Sequence, residues 1–185
     1  MKHLNAVSLF SGSGMLDKGV AEALKQYGYD LRTILYCDHD KHSQEVLKAR
    51  MQDGNIHQAP IWDDVTSLHI EKLRGCVDCI IAGFPCQPFS YAGKRTGITD
   101  ERYLFSDIIR LANEGNVPLL FLENVPGLLT GKDGSAPPIT DVLKLMAEAG
   151  FDATWCCVNA SDPEIQAPHK RERLFIIAWR KLADT

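Results

Sequence analysis

The feature that most constrains the fold is a regular alternation of short apolar runs with segments of helical periodicity. Strand-like runs lie at 4–10, 31–37, 77–82 and 118–122. Segments with apolar residues at helical spacing lie at 15–27, 43–51, 104–113 and 139–149. Two further strand-like runs, at 151–159 and 173–179, have no helix between them. This order predicts an α/β fold with a doubly wound, mostly parallel sheet and an antiparallel edge pair.

The length and composition are those of a globular protein. The chain has 185 residues, of which 45% are hydrophobic and 24% charged. A chain of this size buries about two-thirds of its unfolded surface. We therefore expect residues 1–185 to form one domain.

The charge and hydropathy patterns exclude two classes of protein. The net charge is −4, whereas a domain that grips nucleic acid by bulk electrostatics usually carries a basic face. Basic residues cluster only locally, at 94–95, 102 and 170–173. No apolar stretch approaches the roughly 20 residues that span a bilayer, and the first residues lack a secretory signal. We expect a cytoplasmic protein without a membrane partner.

The six cysteines do not follow a metal-site pattern. Cys76 and Cys79 form a CxxC pair without a second such pair, and Cys156 and Cys157 are neighbours in a strand-like run. Adjacent strand residues point to opposite faces, and a four-ligand zinc site needs a different spacing. We expect no metal and mostly structural, reduced thiols, as in a reducing compartment.

Cys86 lies on a stiff turn just past a predicted strand. Residues 83–90 read Gly-Phe-Pro-Cys-Gln-Pro-Phe-Ser, and Pro85 and Pro88 restrict the loop. Ligands and reactive groups collect at this edge of an open α/β sheet, so Cys86 is a candidate nucleophile. Free cysteine is also among the most buried residue types, and position alone leaves a small core residue as an equal alternative.

The first strand–helix turn predicts a site for a nucleotide-like ligand. Residues 10–14 read Phe-Ser-Gly-Ser-Gly, and glycines let a backbone approach a ligand closely. Asp38 follows the second strand, where a carboxylate can accept from both hydroxyls of a ribose. Asp64 lies in the segment Trp62-Asp63-Asp64-Val65, after a further, weak strand that precedes the run at 77–82, and it could accept from an adenine amino group. Turn formation and helix capping are the alternatives for these residues.

Four segments stand in a fixed order along the chain: 9–14, 83–87 (Gly-Phe-Pro-Cys-Gln), 123–125 (Glu-Asn-Val) and 169–173 (His-Lys-Arg-Glu-Arg). In this order and spacing they resemble the catalytic region of the cytosine-5 DNA methyltransferases, over residues 4–179. The resemblance implies the Rossmann-like methyltransferase fold and S-adenosylmethionine as cofactor. It also implies double-stranded DNA as partner, with a cytosine flipped out of the duplex as substrate.

The resemblance carries over residue by residue. Cys86 corresponds to the nucleophile, Glu123 to the acid at cytosine N3, and Arg171 and Arg173 to a basic pair that supports the base and the catalytic loop. The positions that match the wall of the methyl-donor site are Phe10, Gly12, Gly14, Asp38, His39, Asp64, Pro85 and Leu104. Two residues depart from the family pattern: His39 stands where a tryptophan often stacks on adenine, and His169 replaces a glutamine.

The chemistry of the family explains these residue types. Adding a thiolate to cytosine C6 while N3 is protonated makes C5 nucleophilic enough to attack a sulfonium methyl group. Only a few per cent of an ordinary thiol is ionised at neutral pH, and Arg171 and Arg173 would favour the thiolate of Cys86 if they face it. Glu123 must carry a proton when it meets N3.

The family normally continues into a target-recognition domain and a C-terminal segment, and neither is recognised in this sequence. Three hypotheses follow: an active core whose recognition part comes from a second polypeptide, a truncated remnant that binds S-adenosylmethionine without turnover, or a binding module that uses the same site for regulation. A tRNA cytosine methyltransferase is a further alternative, although Gln87 after Cys86 resembles the DNA branch.

Overall fold

A seven-stranded sheet organises the part of the protein that the structure describes. The computed structural model describes residues 1–85, 101–130 and 138–180, with the backbone alone for 101–103. The strands are β1 Lys2–Leu9, β2 Tyr29–Cys37, β3 Ile61–Trp62, β4 Cys79–Gly83, β5 Leu119–Asn124, β6 Phe151–Asn159 and β7 Glu172–Arg180. The helices are α1 Met15–Lys25, α2 Lys41–Gln52, α3 Glu101–Gly115 and α4 Ile139–Glu148, with short 3₁₀ helices at Glu71–Leu73 and Pro126–Leu129.

The strand order is β3-β2-β1-β4-β5-β7-β6, and β1 to β5 pair in parallel. β7 lies antiparallel between β5 and β6. The predicted fold class and the predicted antiparallel edge pair are therefore confirmed. Because the parallel strands share a direction, the segments that follow β1, β2, β4 and β5 meet at one edge of the sheet.

Helices cover the two faces of the central strands. On one face, Ile80 of β4 and Leu120 of β5 belong to a core that also contains Ile108 of α3 and Val142 of α4. On the other face, Cys79, Ile81 and neighbours pack against apolar residues of α1. Alternate β4 residues thus enter opposite cores, which explains the unbroken apolar run of this strand.

The α1-side face is less covered toward β7. Phe121 pairs with Ile177, and Leu119 pairs with Trp179. Ile177 and Trp179 are 39% and 41% exposed, although the partners on β5 are packed against the α1-side core. Among the helices that the structure describes, none is long and apolar enough to cross a membrane.

Arg180 fastens the end of β7 to the ends of α3 and α4. Its guanidinium donates to the backbone carbonyls of Val117, Ala149 and Ala112 at 3.0 Å each, and to Asn113 Oδ1 at 2.9 Å. The last carbonyls of a helix have no partner within the helix and attract positive charge. The Arg180 side chain therefore joins the C-terminal ends of α3, α4 and β7, at the edge of the sheet opposite the predicted site.

Replacing Arg180 with alanine is expected to lower the free energy of unfolding by about 2–4 kcal/mol, because several carbonyls lose a charged donor. Urea denaturation measures this change. Arg32→Ala is the matched control, since Arg32 is exposed on β2 and its side chain makes no hydrogen bond within the described residues; its effect should stay within about 0.5 kcal/mol. Equal losses in the two variants would contradict the fastening role.

Candidate active site

The turn after β1 has an unusual backbone. Phe10, Gly12 and Gly14 all have positive φ angles, of 52°, 53° and 71°. Phe10 is not a glycine, so its conformation is strained, and strain of this kind is typical of ligand-binding sites. The Ser11 backbone N–H donates to the Cys37 carbonyl at 3.2 Å, which ties the turn to the end of β2.

Gly12 and Gly14 are surrounded differently, so a side chain would be disfavoured at each position for a different reason. A Cβ on Gly14 would lie 3.2 Å from Ile56 Cδ1, so the helix start packs tightly against the core. A Cβ on Gly12 would meet nothing within 4 Å. The backbone at Gly12 therefore borders open space, where a ligand can approach it closely.

Asp38 is buried and oriented by the glycine turn. Its Oδ2 accepts from the Gly12 backbone N–H at 2.7 Å, and its Oδ1 accepts from the Asp40 N–H at 3.0 Å. Gln44 donates from Nε2 to the Asp38 carbonyl at 2.7 Å. Each carboxylate oxygen can accept more than one hydrogen bond, so Asp38 keeps capacity for hydroxyl donors.

Asp64 and His39 lie near each other at the same edge. Hydrogen bonds from the Thr66 hydroxyl and backbone N–H, at 2.7 and 2.9 Å, lower the pKa of Asp64, and His39 adds a smaller effect. These bonds reach Oδ1, and Oδ2 makes no hydrogen bond within the described residues. The Asp38 N–H donates to the Trp62 carbonyl at 3.0 Å, which joins this region to the end of β2.

A buried polar network lies behind the glycine turn. Ser8 donates to Asp17 Oδ2 at 2.9 Å, and Thr33 donates to Oδ1 at 3.2 Å. The Ser8 and Ser11 hydroxyls are 2.8 Å apart. Burial raises the pKa of Asp17 from 3.8 to about 6, although the bonds from Ser8 and Thr33 oppose the rise. Asp17, on the first turn of α1, therefore links β1, β2 and the turn.

Glu123 faces the glycine turn across Gly83. Gly83 and Glu123 are paired in the β4–β5 ladder. A Cβ on Gly83 would lie 3.5 Å from Glu123 Oε2 and 3.9 Å from the Phe10 carbonyl oxygen. On the other side, Arg173 Nε lies 2.7 Å from Glu123 Oε1. The ion pair occupies one carboxylate oxygen and leaves the other on the side of the turn.

Asn124 connects β5 to the segment that leads into Cys86. This side chain is 2% exposed; it donates to the Phe84 carbonyl at 3.1 Å and accepts from the Val125 N–H at 2.7 Å. The Phe84 ring packs against Phe105 of α3, with centroids 5.3 Å apart. Phe84, two residues before Cys86 in the sequence, is thus held from two neighbouring elements.

The structure brings most of the predicted residues to one edge. Phe10, Gly12, Gly14, Asp38, His39, Asp64, Glu123 and Arg173 lie at or beside the ends of the parallel strands, as their contacts above show. Pro85 is exposed after β4, and Leu104 is half-buried on α3. Arg171 is exposed, and its side chain makes no hydrogen bond or ion pair with Glu123 within the described residues. Cys86 lies outside the described residues.

Sequence reasoning missed Asp17 and Asn124. Asp17 interrupts the apolar side of α1 next to Leu16 and Val20, and a lone acid among core residues was the available signal. Asn124 belongs to the recognised segment 123–125, but the sequence gives no sign that it holds Phe84.

The fold and the acid-lined edge define the Rossmann-like class of methyltransferases. The family model for the C-5 cytosine-specific DNA methylases matches residues 4–184, and the chain belongs to this family. Similar curated proteins include the Type II methyltransferases M.PspPI of Psychrobacter sp. (33% identical over 94% of this chain) and M.Eco47II of Escherichia coli (33% over 96%). The chain spans 39% and 40% of their lengths.

Two solved structures share the fold. A Spodoptera frugiperda DNMT2 mutant superposes with a TM-score of 0.72 at 22% identity, covering 96% of this chain and 50% of that one. The S. pombe Dnmt2 methyltransferase gives a TM-score of 0.70 at 18% identity, covering 100% of this chain and 52% of its own.

Replacing Asp17 with asparagine is expected to change how stability depends on pH. Because the pKa of Asp17 is raised to about 6 in the folded chain, the folded state holds this proton more tightly than the unfolded state. Ionisation of Asp17 thus lowers stability progressively between about pH 4 and 6, by about 3 kcal/mol in all. Burial also raises the pKa of Tyr36 and Cys79, which interact with Asp17, so neither titrates in this range.

Urea denaturation between pH 4 and 8 tests this expectation. The free energy of unfolding of D17N minus that of the unaltered chain should rise with pH up to about 6 and then stay level. The exposed Asp53→Asn serves as a matched control, and an equal rise in this control would contradict the account. A constant difference for D17N over the whole range would contradict the account.

Proposed function

We propose that this chain is the cofactor-binding and catalytic part of a DNA cytosine-5 methyltransferase, acting on a flipped cytosine through a covalent adduct with Cys86. The observation that carries the proposal is the meeting of Glu123 Oε2 and the Phe10 carbonyl above Gly83. This geometry supports the proposal that Glu123 is the acid for the base and that the turn beside it binds the cofactor. Family membership and the position of Cys86, three residues after Gly83, support it.

The residues of the turn fit S-adenosylmethionine. Open space at Gly12 admits a ligand to the backbone, and the buried Asp38 carboxylate retains lone pairs for ribose hydroxyls. Asp64 Oδ2 is available for an adenine amino group. When bound, S-adenosylmethionine supplies an electrophilic methyl group on its sulfonium.

We assign each residue a role in moving protons and electron pairs to and from the cytosine. The Cys86 thiolate adds to cytosine C6 as Glu123 gives a proton to N3, which moves an electron pair toward C5. After C5 is methylated, a base removes the C5 proton, the C6–sulfur bond breaks to return the thiolate, and N3 returns its proton to Glu123. Arg173 holds Glu123 through Oε1, so we assign the transferred proton to Oε2. Arg171 makes no hydrogen bond or ion pair with Glu123 within the described residues, and we propose that it supports the bound base and the catalytic loop.

We propose that DNA recognition needs sequence beyond these 185 residues, in the same or a second polypeptide. The chain spans about two-fifths of M.PspPI and M.Eco47II, and its net charge of −4 is unfavourable for holding a duplex. The tests below distinguish this proposal from the three alternatives: a remnant that only binds the cofactor, a regulatory binding module and a tRNA methyltransferase.

Binding of S-adenosylmethionine, measured by calorimetry, is expected to weaken about 10- to 100-fold in Asp38→Ala, because hydrogen bonds to a charged group are lost. Asp30→Ala is the matched control, because Asp30 lies at the opposite end of β2 and is paired with His3. Its affinity should equal that of the unaltered chain. Failure of the unaltered chain to bind at millimolar ligand would rule out the assigned cofactor.

With S-adenosylmethionine and the sequence that supplies DNA recognition present, a duplex containing 5-fluorocytosine is expected to form a covalent adduct that denaturing electrophoresis detects. Cys86→Ala should form none, whereas Cys76→Ala, which removes an exposed cysteine elsewhere, should react normally. Glu123→Gln should slow adduct formation by about 100- to 10,000-fold, the usual contribution of acid catalysis.

The same assay separates the alternatives. An adduct that forms only when a recognition polypeptide is added indicates a split enzyme. Cofactor binding without an adduct under any of these conditions indicates a remnant or a regulatory module. An adduct with a cytosine-containing tRNA but not with the duplex indicates the RNA substrate.

A further inference from the structure

Arg110 of α3 holds the loop that follows Asp64. Its Nη1 donates to the Leu68 carbonyl at 2.9 Å, and its Nη2 donates to the Val65 carbonyl at 2.9 Å. Both carbonyls belong to the turn that Asp64 begins, since the N–H groups of Ser67 and Leu68 donate back to the Asp64 carbonyl. One guanidinium thus fixes the turn from its buried side.

Acidic residues on α3 orient this guanidinium. Asp107 Oδ1 accepts from Arg110 Nε at 3.0 Å, and Glu114 Oε1 accepts from Nη1 at 2.7 Å. The three residues are spaced i−3, i and i+4, so they lie on one face of the helix. Their side chains are only 12–30% exposed, which protects the ion pairs from solvent.

Glu114 extends the attachment beyond the turn. Its Oε2 accepts from the Ile70 N–H at 3.0 Å, and its Oε1 lies 3.0 Å from His69 Nδ1. The whole stretch from residue 65 to 70 is therefore held against α3 by side chains, while Asp64 itself stays exposed.

We propose that Arg110 is a positioning residue for the adenine end of the methyl donor, acting through the Asp64 turn. The proposal rests on the proposed function, in which Asp64 accepts from the adenine amino group. Arg110 fixes Val65 and Leu68, and Thr66 donates two hydrogen bonds to Asp64 Oδ1. Together these bonds fix the orientation of the Asp64 carboxylate and therefore the position of its Oδ2. Without Arg110, the turn is no longer fixed to α3, and the Asp64 carboxylate is no longer held in one position. The site then distinguishes an amino group from other substituents of the purine less well.

Arg74 is the matched control within the same protein. It donates from Nε and Nη2 to the carbonyls of Glu114 and Asn113, at 3.1 and 3.2 Å. Arg74 thus ties the end of α3 through two backbone carbonyls, the same number that Arg110 contacts in the loop, but it makes no hydrogen bond to residues 64–68. A merely structural role of Arg110 would resemble that of Arg74.

The test measures, by calorimetry on the full chain, the affinities for S-adenosylhomocysteine and for S-inosylhomocysteine, in which a 6-oxo group replaces the amino group. The unaltered chain should prefer the adenine compound. In Arg110→Ala this preference should fall at least about tenfold, whereas Arg74→Ala should keep it. Arg110→Lys keeps the charge without the planar fork of donors, and an intermediate preference is expected. It also provides a readable variant if Arg110→Ala does not fold.

Each result decides the proposal. An unchanged preference in folded Arg110→Ala or in Arg110→Lys would overturn it, as would an equal loss in Arg74→Ala. If the unaltered chain binds neither compound, the proposed cofactor is wrong and this inference is overturned with it. If it binds both and only the Arg110 variants lose the preference, the positioning role is supported.

Discussion

Parallel pairing of β4 with β1 and β5 is the constraint on which the site depends. The ladder pairs Leu9 with Ala82 and Gly83 with Glu123, so these strands end together at one edge. No side chain alone could bring the turn near Phe10 to within reach of an acid more than 100 residues later in the chain. The antiparallel strand β7 then adds Arg173 beside Glu123. The chemistry of the edge thus follows from backbone hydrogen bonding.

Polar side chains behind the candidate site hold its segments in place. Asp17 is an acid that burial makes harder to ionise, yet it joins β1, β2 and the helix start. Arg110 does the same for the Asp64 turn from the side of α3. Asn124 fixes the approach to Cys86 from the end of β5. Each satisfies backbone or hydroxyl groups of buried residues, and each holds a segment next in sequence to a candidate ligand-binding residue.

The sequence predicts the sheet and helices well, because apolar runs and helical periodicity report burial directly. It places β6 at 151–159, as observed, but ends β5 at 122, before the two polar residues that continue the ladder with β7. The family motifs locate Glu123 and the basic pair, but only coordinates distinguish Arg173, which touches Glu123, from Arg171. Side chains such as Arg110 escape notice because their partners lie about 40 residues away in the chain.

The positive φ of Phe10 sets a limit on how this protein can be engineered. A search for stabilising substitutions would test a glycine at this position, since glycine relieves the strain of the positive φ, against the larger backbone entropy that glycine loses on folding. The aromatic ring would then be lost from the rim of the turn. A heat-resistant variant obtained in this way would be a poor starting point for an assay of methyl transfer, however well it is folded.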